Sequence, residues 1–314
     1  MREDRLSADR FSEPASTNAA LQKALLGHDD LLDSIPIIPA VLQSLLAELN
    51  QPPEQVNMLR VADLVGRDES LAAQCLRMAN SPLFGRGTAT ASMRGAVRTL
   101  GIAHTRDIAA TSSMMRIGSA QRASDPLVFW EHSLGCAILS RKLARCVGFD
   151  DPENAYLAGL LHDLGCVVNL VLVPEKTKGA LAKGMQTGVF LGESEYEALG
   201  FTHCQSGEVL ARKWNFSDEL IEVIRYHHNP GAAVVNPALV AIVALADRLC
   251  RSAKLGMGYP ETPDPAAYCE SDWKIVKERV PQAAALEWAD FVKDADTYFS
   301  EIRELVVAMF HGKN

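Results

Sequence analysis

The sequence predicts an all-α protein: an N-terminal helical bundle packed on a C-terminal helical domain. Apolar residues recur at i, i+3 and i+4 almost everywhere beyond Leu31, and no run alternates β-branched with polar residues. Capping side chains also stand directly before prolines at several helix starts. With 314 residues, 48% of them apolar and 22% charged, the chain is long enough to bury a substantial core.

The polar, unpatterned residues up to Asn18 read as a loose arm, and Leu21 to Leu26 as a short helix. Pro39, Val41, Leu42, Leu45, Leu46 and Leu49 then form a helical stripe that stops at Asn50-Gln51-Pro52-Pro53. Further helices run from Met58 to Val65, from Ser70 to Asn80-Ser81-Pro82, from Met93 to Leu100 with Gly101 as the stop, and from Thr105 to Ile117. Asp125-Pro126, Asp151-Pro152 and Asn236-Pro237 each put a capping side chain before a proline, whose missing N–H would have been unpaired anyway at the first helical position. Ser217 opens another helix, with Asp218 and Glu219 favourably placed for its dipole. The helix from Asp151 is expected to close at His162 and Asp163, with Gly165 as its C-cap. A stretch with Gly256, Gly258, Pro260, Pro263 and Pro265 precedes polar amphipathic helices from Trp273 to Phe310. The reading is a flexible arm over 1–29, an N-terminal helical subdomain over 30–120, a second over 121–255, and a linker with C-terminal helices over 256–314.

Charge and composition narrow the partners. Thirty-one Lys plus Arg stand against 39 Asp plus Glu, a formal charge of −8, so nucleic acid and acidic membranes are not expected as partners. The apolar runs Leu239 to Ala246 and Val167 to Val173 are far shorter than the roughly 20 residues that span a bilayer. Met1-Arg2-Glu3-Asp4 lacks the apolar segment of a signal peptide, and a cytoplasmic location is expected. The seven cysteines form no CxxC pair; Cys75, Cys136, Cys146 and Cys250 stand among apolar neighbours and read as reduced core thiols.

Several polar residues nevertheless fall on apolar stripes. Asp247 shares a helix face with Val240, Val243 and Cys250, and a carboxylate turned into a core needs a partner or a metal. His132 aligns with Val128, Phe129, Cys136 and Leu139. His162 and Asp163 follow the apolar run from Tyr156 to Leu161, His203 shares a face with Gly207, Leu210 and Trp214, and His227 and His228 follow Leu220, Ile221 and Ile224. Taken singly, each reads as a satisfied core or helix-end residue. Jointly, five imidazoles and two carboxylates on five successive helices suit one or two divalent transition-metal ions, Fe, Mn, Zn or Ni.

Leu160-Leu161-His162-Asp163-Leu164-Gly165 resembles the pair that names the HD superfamily, with His132 and Asp247 matching its earlier histidine and later aspartate. His203 and His227-His228 are similar to the extra ligands of the two-metal HD-GYP phosphodiesterases. That resemblance implies one ion held by His132, His162, Asp163 and Asp247, and a second held by His203, His227, His228 and a bridging Asp163. Ile35-Pro36-Ile37-Ile38-Pro39, Asp68-Glu69-Ser70-Leu71, the segment from Leu76 to Gly85, the segment from Arg94 to Gly101, Trp214 and His227-His228-Asn229-Pro230 resemble the HDOD domain, an output module of bacterial signalling proteins. There are departures from the enzymes: Cys166 stands where they carry a lysine, Val128 where some carry an acidic ligand, and Gly258-Tyr259-Pro260 comes after Asp247, in the wrong order.

The resemblance implies a regulatory module acting on a signalling protein partner, with a nucleotide second messenger as a further ligand. The alternative is a metal-dependent phosphohydrolase acting on a nucleotide or cyclic dinucleotide, in which His162 and Asp163 flank the activated water and Arg67, Arg77, Arg94 and Arg98 are candidate phosphate contacts. A helix-turn-helix over Val61 to Met78 would offer Gln74, Arg77 and Asn80 as base readers, and the family resemblance accounts for the same residues better.

Overall fold

The computed structural model describes residues 19–26, 48, 55–81, 84, 90–119, 126–214, 216–256 and 265–310. Among the described residues all regular elements are helices and there is no strand. The helix expected from Pro39 to Leu49 (Glu48 apart), the Asp125 cap and Gly258-Tyr259-Pro260 lie outside them. The chain divides into two compact units, one of Met1–Ile35 with Val128–Phe299 and one of Pro36–Leu127 with Ser300–Asn314.

Numbering starts with α1 (Ala19–Leu26), in the first unit, where Leu21 is fully buried. The second unit contains α2 (Met58–Gly66), α3 (Glu69–Ala79) and α4 (Met93–Ser119), packed through Val61, Val65, Leu71, Cys75, Met78, Val97 and Leu100. Asn57 caps α2 by accepting from the N–H groups of Leu59 and Arg60, and Asp68 caps α3 through Leu71 N–H, one turn position ahead of the Ser70 start expected. The two helices expected around Gly101 are continuous apart from a kink there, at φ 73°, ψ 176°, backbone that only glycine adopts without strain. The Asn80 side chain donates to Thr90 O at 2.9 Å and accepts from Thr90 N at 2.7 Å, so it clasps the backbone rather than standing ready to read a base.

The first unit runs through α5 (Pro126–Val147), α6 (Pro152–Leu161), α7 (Leu164–Leu172), α8 (Pro174–Thr187), α9 (Leu191–Leu199), α10 (His203–Lys213), α11 (Asp218–Tyr226), α12 (Pro237–Ser252), α13 (Pro265–Arg279) and most of α14 (Trp288–Phe310). The caps at Asp151, Ser217 and Asn236 form as expected, accepting from the N–H groups of Asn154, Leu220 and Leu239. α8 and α9 were not singled out in the sequence. Nor was the start of α13, which begins at Pro265 rather than Trp273. α12 is the central element, buried from Ala238 through Cys250 and packed on α6, α11 and α13.

Gly165 is not a C-cap. α6 ends at Leu161, His162 and Asp163 turn the chain, and α7 starts at Leu164, so Gly165 lies in its first turn. A Cβ on Gly165 would stand 1.7 Å from the carbonyl oxygen of His203, so the glycine is required by the close approach of α10. The stretch Pro152–Leu172 over α6 and α7 is long and apolar enough to cross a membrane, which the shorter runs picked out in the sequence did not suggest. Its apolar window is 89% buried inside the protein, so its hydropathy is that of a core. All seven cysteines are free, and Cys146 is exposed, against expectation.

Candidate metal centre

All seven candidate ligands come from helices of the first unit or the turns beside them, five of them at helix ends. His132 projects from α5; His162 and Asp163 form the turn between α6 and α7; His203 opens α10; His227 and His228 follow α11; Asp247 lies midway along α12. All but His228 are at most 3% exposed.

The structure brings all seven together and sets the tautomer of four histidines. Nδ1 of His132 faces Leu255 O at 3.1 Å, Nδ1 of His162 faces Gly159 O at 2.7 Å, and Nδ1 of His227 faces Val223 O and Ile224 O at 3.1 Å each. Nδ1 of His203 faces Glu195 Oε2 at 2.6 Å. A carbonyl or carboxylate only accepts, so Nδ1 carries a proton in each case and Nε2 is the ring nitrogen that faces the cluster, the orientation of a metal ligand with its outer partner. Gly256, at φ 110°, leaves room for this: a Cβ there would come within 2.9 Å of His132.

The Nε2 atoms fall into two groups joined by Asp163. On one side His132 Nε2 lies 2.9 Å from Asp247 Oδ1 and 3.6 Å from Asp163 Oδ2, while His162 Nε2 lies 3.3 Å from Asp163 Oδ2 and 3.7 Å from Asp247 Oδ1. On the other, His203 and His227 Nε2 are each 3.5 Å from Asp163 Oδ1, and His203 Nε2 is 3.4 Å from His227 Nε2 and 3.0 Å from His228 Nε2. One carboxylate oxygen therefore serves each group.

Two buried atoms, His162 Nε2 and Asp163 Oδ1, have no hydrogen-bond partner although both point into this cluster. A buried polar atom left that way costs roughly 1–3 kcal/mol, and a cation between the groups would relieve it. The donor set of imidazole nitrogen and carboxylate oxygen fits a divalent transition metal.

The electrostatics divide the histidines: burial keeps His227 and His228 neutral, while neighbouring carboxylates and sulfurs outweigh burial and hold His132, His162 and His203 above their ordinary value. Burial holds His227 down at about 4, and burial with neighbouring His227 holds His228 well below its ordinary value, so both stay neutral as ligands must. Burial opposes charge on His132, but the Cys136 sulfur and the Asp247 carboxylate outweigh it and push its pKa up to about 9. Burial alone would raise Asp163; His162 and Arg251 reverse that and hold it well below the usual carboxylate range.

Three kinds of residue at the site were missed by the sequence reading. Arg251, four residues after Asp247 on α12, puts Nε 3.0 Å from Asp247 Oδ1 and Nη2 3.2 Å from Asp163 Oδ2. Glu195 on α9 accepts from His203 Nδ1, from His203 N at 2.8 Å and, through Oε1, from Asn169 Nδ2 at 2.9 Å. Cys136, Cys166 and Cys204 place sulfur among the ligand atoms. Spacing held a signal for two of them: Arg251 continues the inward stripe of Asp247, and Glu195 stands four residues from both Leu191 and Leu199 on the buried face of α9. The arginines nominated from the sequence, Arg67, Arg77, Arg94 and Arg98, are all exposed on the second unit.

Comparison with known proteins adds the relationship. The crystal structure of an HDOD domain protein of unknown function from Geobacter sulfurreducens is 27% identical, with a TM-score of 0.75 over 91% of this chain and 99% of that one. A protein from Shewanella amazonensis SB2B, provisionally described as a phosphohydrolase, shares the fold at 21% identity and a TM-score of 0.65, over 94% of this chain and 98% of that one. An uncharacterized protein of Treponema pallidum (strain Nichols) is 25% identical over 225 residues, 71% of this chain; the match spans only 43% of that relative's length. The HDOD domain model matches residues 35–230, which take in most of the second unit, about half of the first and six of the seven clustered candidate ligands, and the chain therefore belongs to the HDOD family.

Proposed function

We propose that this chain is a signalling output module that acts by binding a signalling protein partner and carries one or two divalent transition-metal ions in a closed centre. The observation that carries this reading is closure. Six of the seven candidate ligands are at most 3% exposed, and Arg251 bonds both aspartates, so the donor atoms face the interior rather than an open substrate cleft. A nucleotide second messenger remains a ligand class for the same module. Bound metal would supply charge neutralisation and Lewis-acid polarisation. The residues of the chain hold the rest: the Nδ1 partners fix the imidazoles, and Arg251 offsets the carboxylates.

A second reading is favoured by one feature. Asp163 offers a separate oxygen to each histidine group, the arrangement of a bridging ligand in two-metal phosphohydrolases. In that reading Arg251 is a cation at the site able to leave the carboxylates for a phosphoryl oxygen.

Metal analysis of protein purified without chelator, paired with turnover assays on an aryl phosphodiester and on cyclic dinucleotides, separates the two. Bound Fe, Mn, Zn or Ni without turnover is the expected result. Metal-dependent cleavage that vanishes in Asp163→Ala would transfer the conclusion to the phosphohydrolase. Protein without metal would remove both.

A further inference from the structure

Arg251 lies one helical turn after Asp247 on α12, with its side chain 8% exposed. Its guanidinium reaches the first ligand group at two points: Nε is 3.0 Å from Asp247 Oδ1, and Nη2 is 3.2 Å from Asp163 Oδ2. The first pair of histidines faces the same two oxygens, with His132 Nε2 2.9 Å from Asp247 Oδ1 and His162 Nε2 3.3 Å from Asp163 Oδ2. The Cys136 sulfur packs on the His132 ring and lies 3.8 Å from Asp247 Oδ1 as well. An ionised carboxyl oxygen offers about two lone-pair sites. Arg251 takes one on each of these atoms, and the facing imidazole crowds the other.

The second group is different. Asp163 Oδ1 has no hydrogen-bond partner among the described residues. It lies 3.5 Å from Nε2 of both His203 and His227, and His203 Nε2 is 3.4 Å from His227 Nε2 and 3.0 Å from His228 Nε2. The His203 ring centroid is 5.5 Å from that of His227 and 5.1 Å from that of His228, much farther than the nitrogens, so these rings aim their Nε2 atoms at one another instead of stacking. A tetrahedral ion with bonds of about 2.0–2.1 Å to nitrogen or oxygen holds its donors about 3.3–3.4 Å apart, close to these separations.

Charge divides the two groups in the same way. Arg251 places its positive charge on the first group, whereas the buried Glu195 places a negative one beside the second, 2.6 Å from His203 Nδ1. With neutral imidazoles, the carboxylates of Asp163, Asp247 and Glu195 against one guanidinium leave two negative charges, which one divalent ion cancels. A second ion would leave two positive charges among side chains that are almost wholly buried, at a large desolvation cost.

We propose that Arg251 sets the metal occupancy of this centre: it stands as a built-in cation on the first ligand group, so that a single divalent ion is held by His203, His227, His228 and Asp163 Oδ1. Arg251 is then a positioning residue, which leaves one oxygen of Asp163 to the ion by holding the other. The inference rests on the metal-binding reading above and narrows it from one or two ions to one ion at a stated place.

The test is to load the full chain with cobalt(II), remove the excess and count bound cobalt per chain. Wild type should hold one ion, Arg251→Met two and His203→Gln none, and the double variant Arg251→Met/His203→Gln should regain one, now in the first group. A merely structural role of Arg251 would lower the count or leave it unchanged, never raise it. Two ions in the wild type, or one ion still in Arg251→Met, overturns the role of Arg251 and leaves the metal centre standing. An ion retained by His203→Gln overturns the ligand set. No cobalt in the wild type overturns the metal-binding reading itself. Should Arg251→Met fail to fold, anomalous diffraction from cobalt-loaded wild-type crystals decides instead. A peak among His203, His227 and His228 alone supports the inference, and a peak between His132 and Asp247 overturns it.

Discussion

At the scale of single residues, the Nδ1 contacts turn a collection of histidines into a preorganised set. Glu195 is the clearest case, because its one carboxylate fixes His203 through both ring and backbone while Asn169 holds the carboxylate. Glu195→Gln should leave the fold intact and lower metal affinity by roughly 10–100-fold in chelator competition, the usual cost of losing an outer partner. His227 gives a pH prediction for metal-free protein. Its folded pKa of about 4 lies below its ordinary 6.5, so between those values the unfolded chain binds a proton that the folded one refuses. The stability it contributes is complete above pH 6.5 and is lost as pH falls through that window toward about 4. In His227→Gln that loss is absent, so the stability gap between wild type and variant, read from urea titrations, should narrow with falling pH. The seven clustered residues were legible as candidates because a polar side chain on an apolar stripe betrays itself. Glu195 and Arg251 were not picked out, since each acts through a partner on another turn or another helix.

At the scale of elements, the caps were legible and the crossings were not. Asp151, Ser217 and Asn236 act on N–H groups three residues away, so sequence neighbourhood contains both donor and acceptor. Gly165 looked like a helix stop for the same local reason. Its actual role, contact with the backbone of His203, involves a residue 38 positions further on. Gly165→Ala should therefore abolish cooperative unfolding of this unit or prevent its expression in folded form. Gly179→Ala is the contrasting case: the position is exposed, inside α8, and nothing lies within 4 Å of an added Cβ. It should raise stability by about 0.5–1 kcal/mol in denaturant titration.

At the scale of the whole molecule, α13 is tied to the helix that carries Asp247. Arg248 of α12 and Asp272 of α13 meet at 2.7 Å with side chains 3% exposed, and Trp273 and Val276 are buried beside them. Removing one partner of such a pair leaves an uncompensated buried charge. Asp272→Ala should cost about 3–5 kcal/mol, whereas Arg248→Met with Asp272→Leu should cost much less, both measured by urea unfolding of the site-bearing unit. The periodicity of the chain by itself determined the all-α class, most helix starts and the seven residues that do not belong in a core, because these depend on side chains a few positions apart. Tertiary structure alone decided that the seven converge, that Asp163 divides its oxygens between two histidine groups, that Arg251 reaches both aspartates, and that the Cys136 sulfur is among them. Those outcomes are set by helix crossings at Gly159 and Gly165, where backbones meet across gaps too short for a side chain, and the residues on either side of such a contact are far apart in sequence.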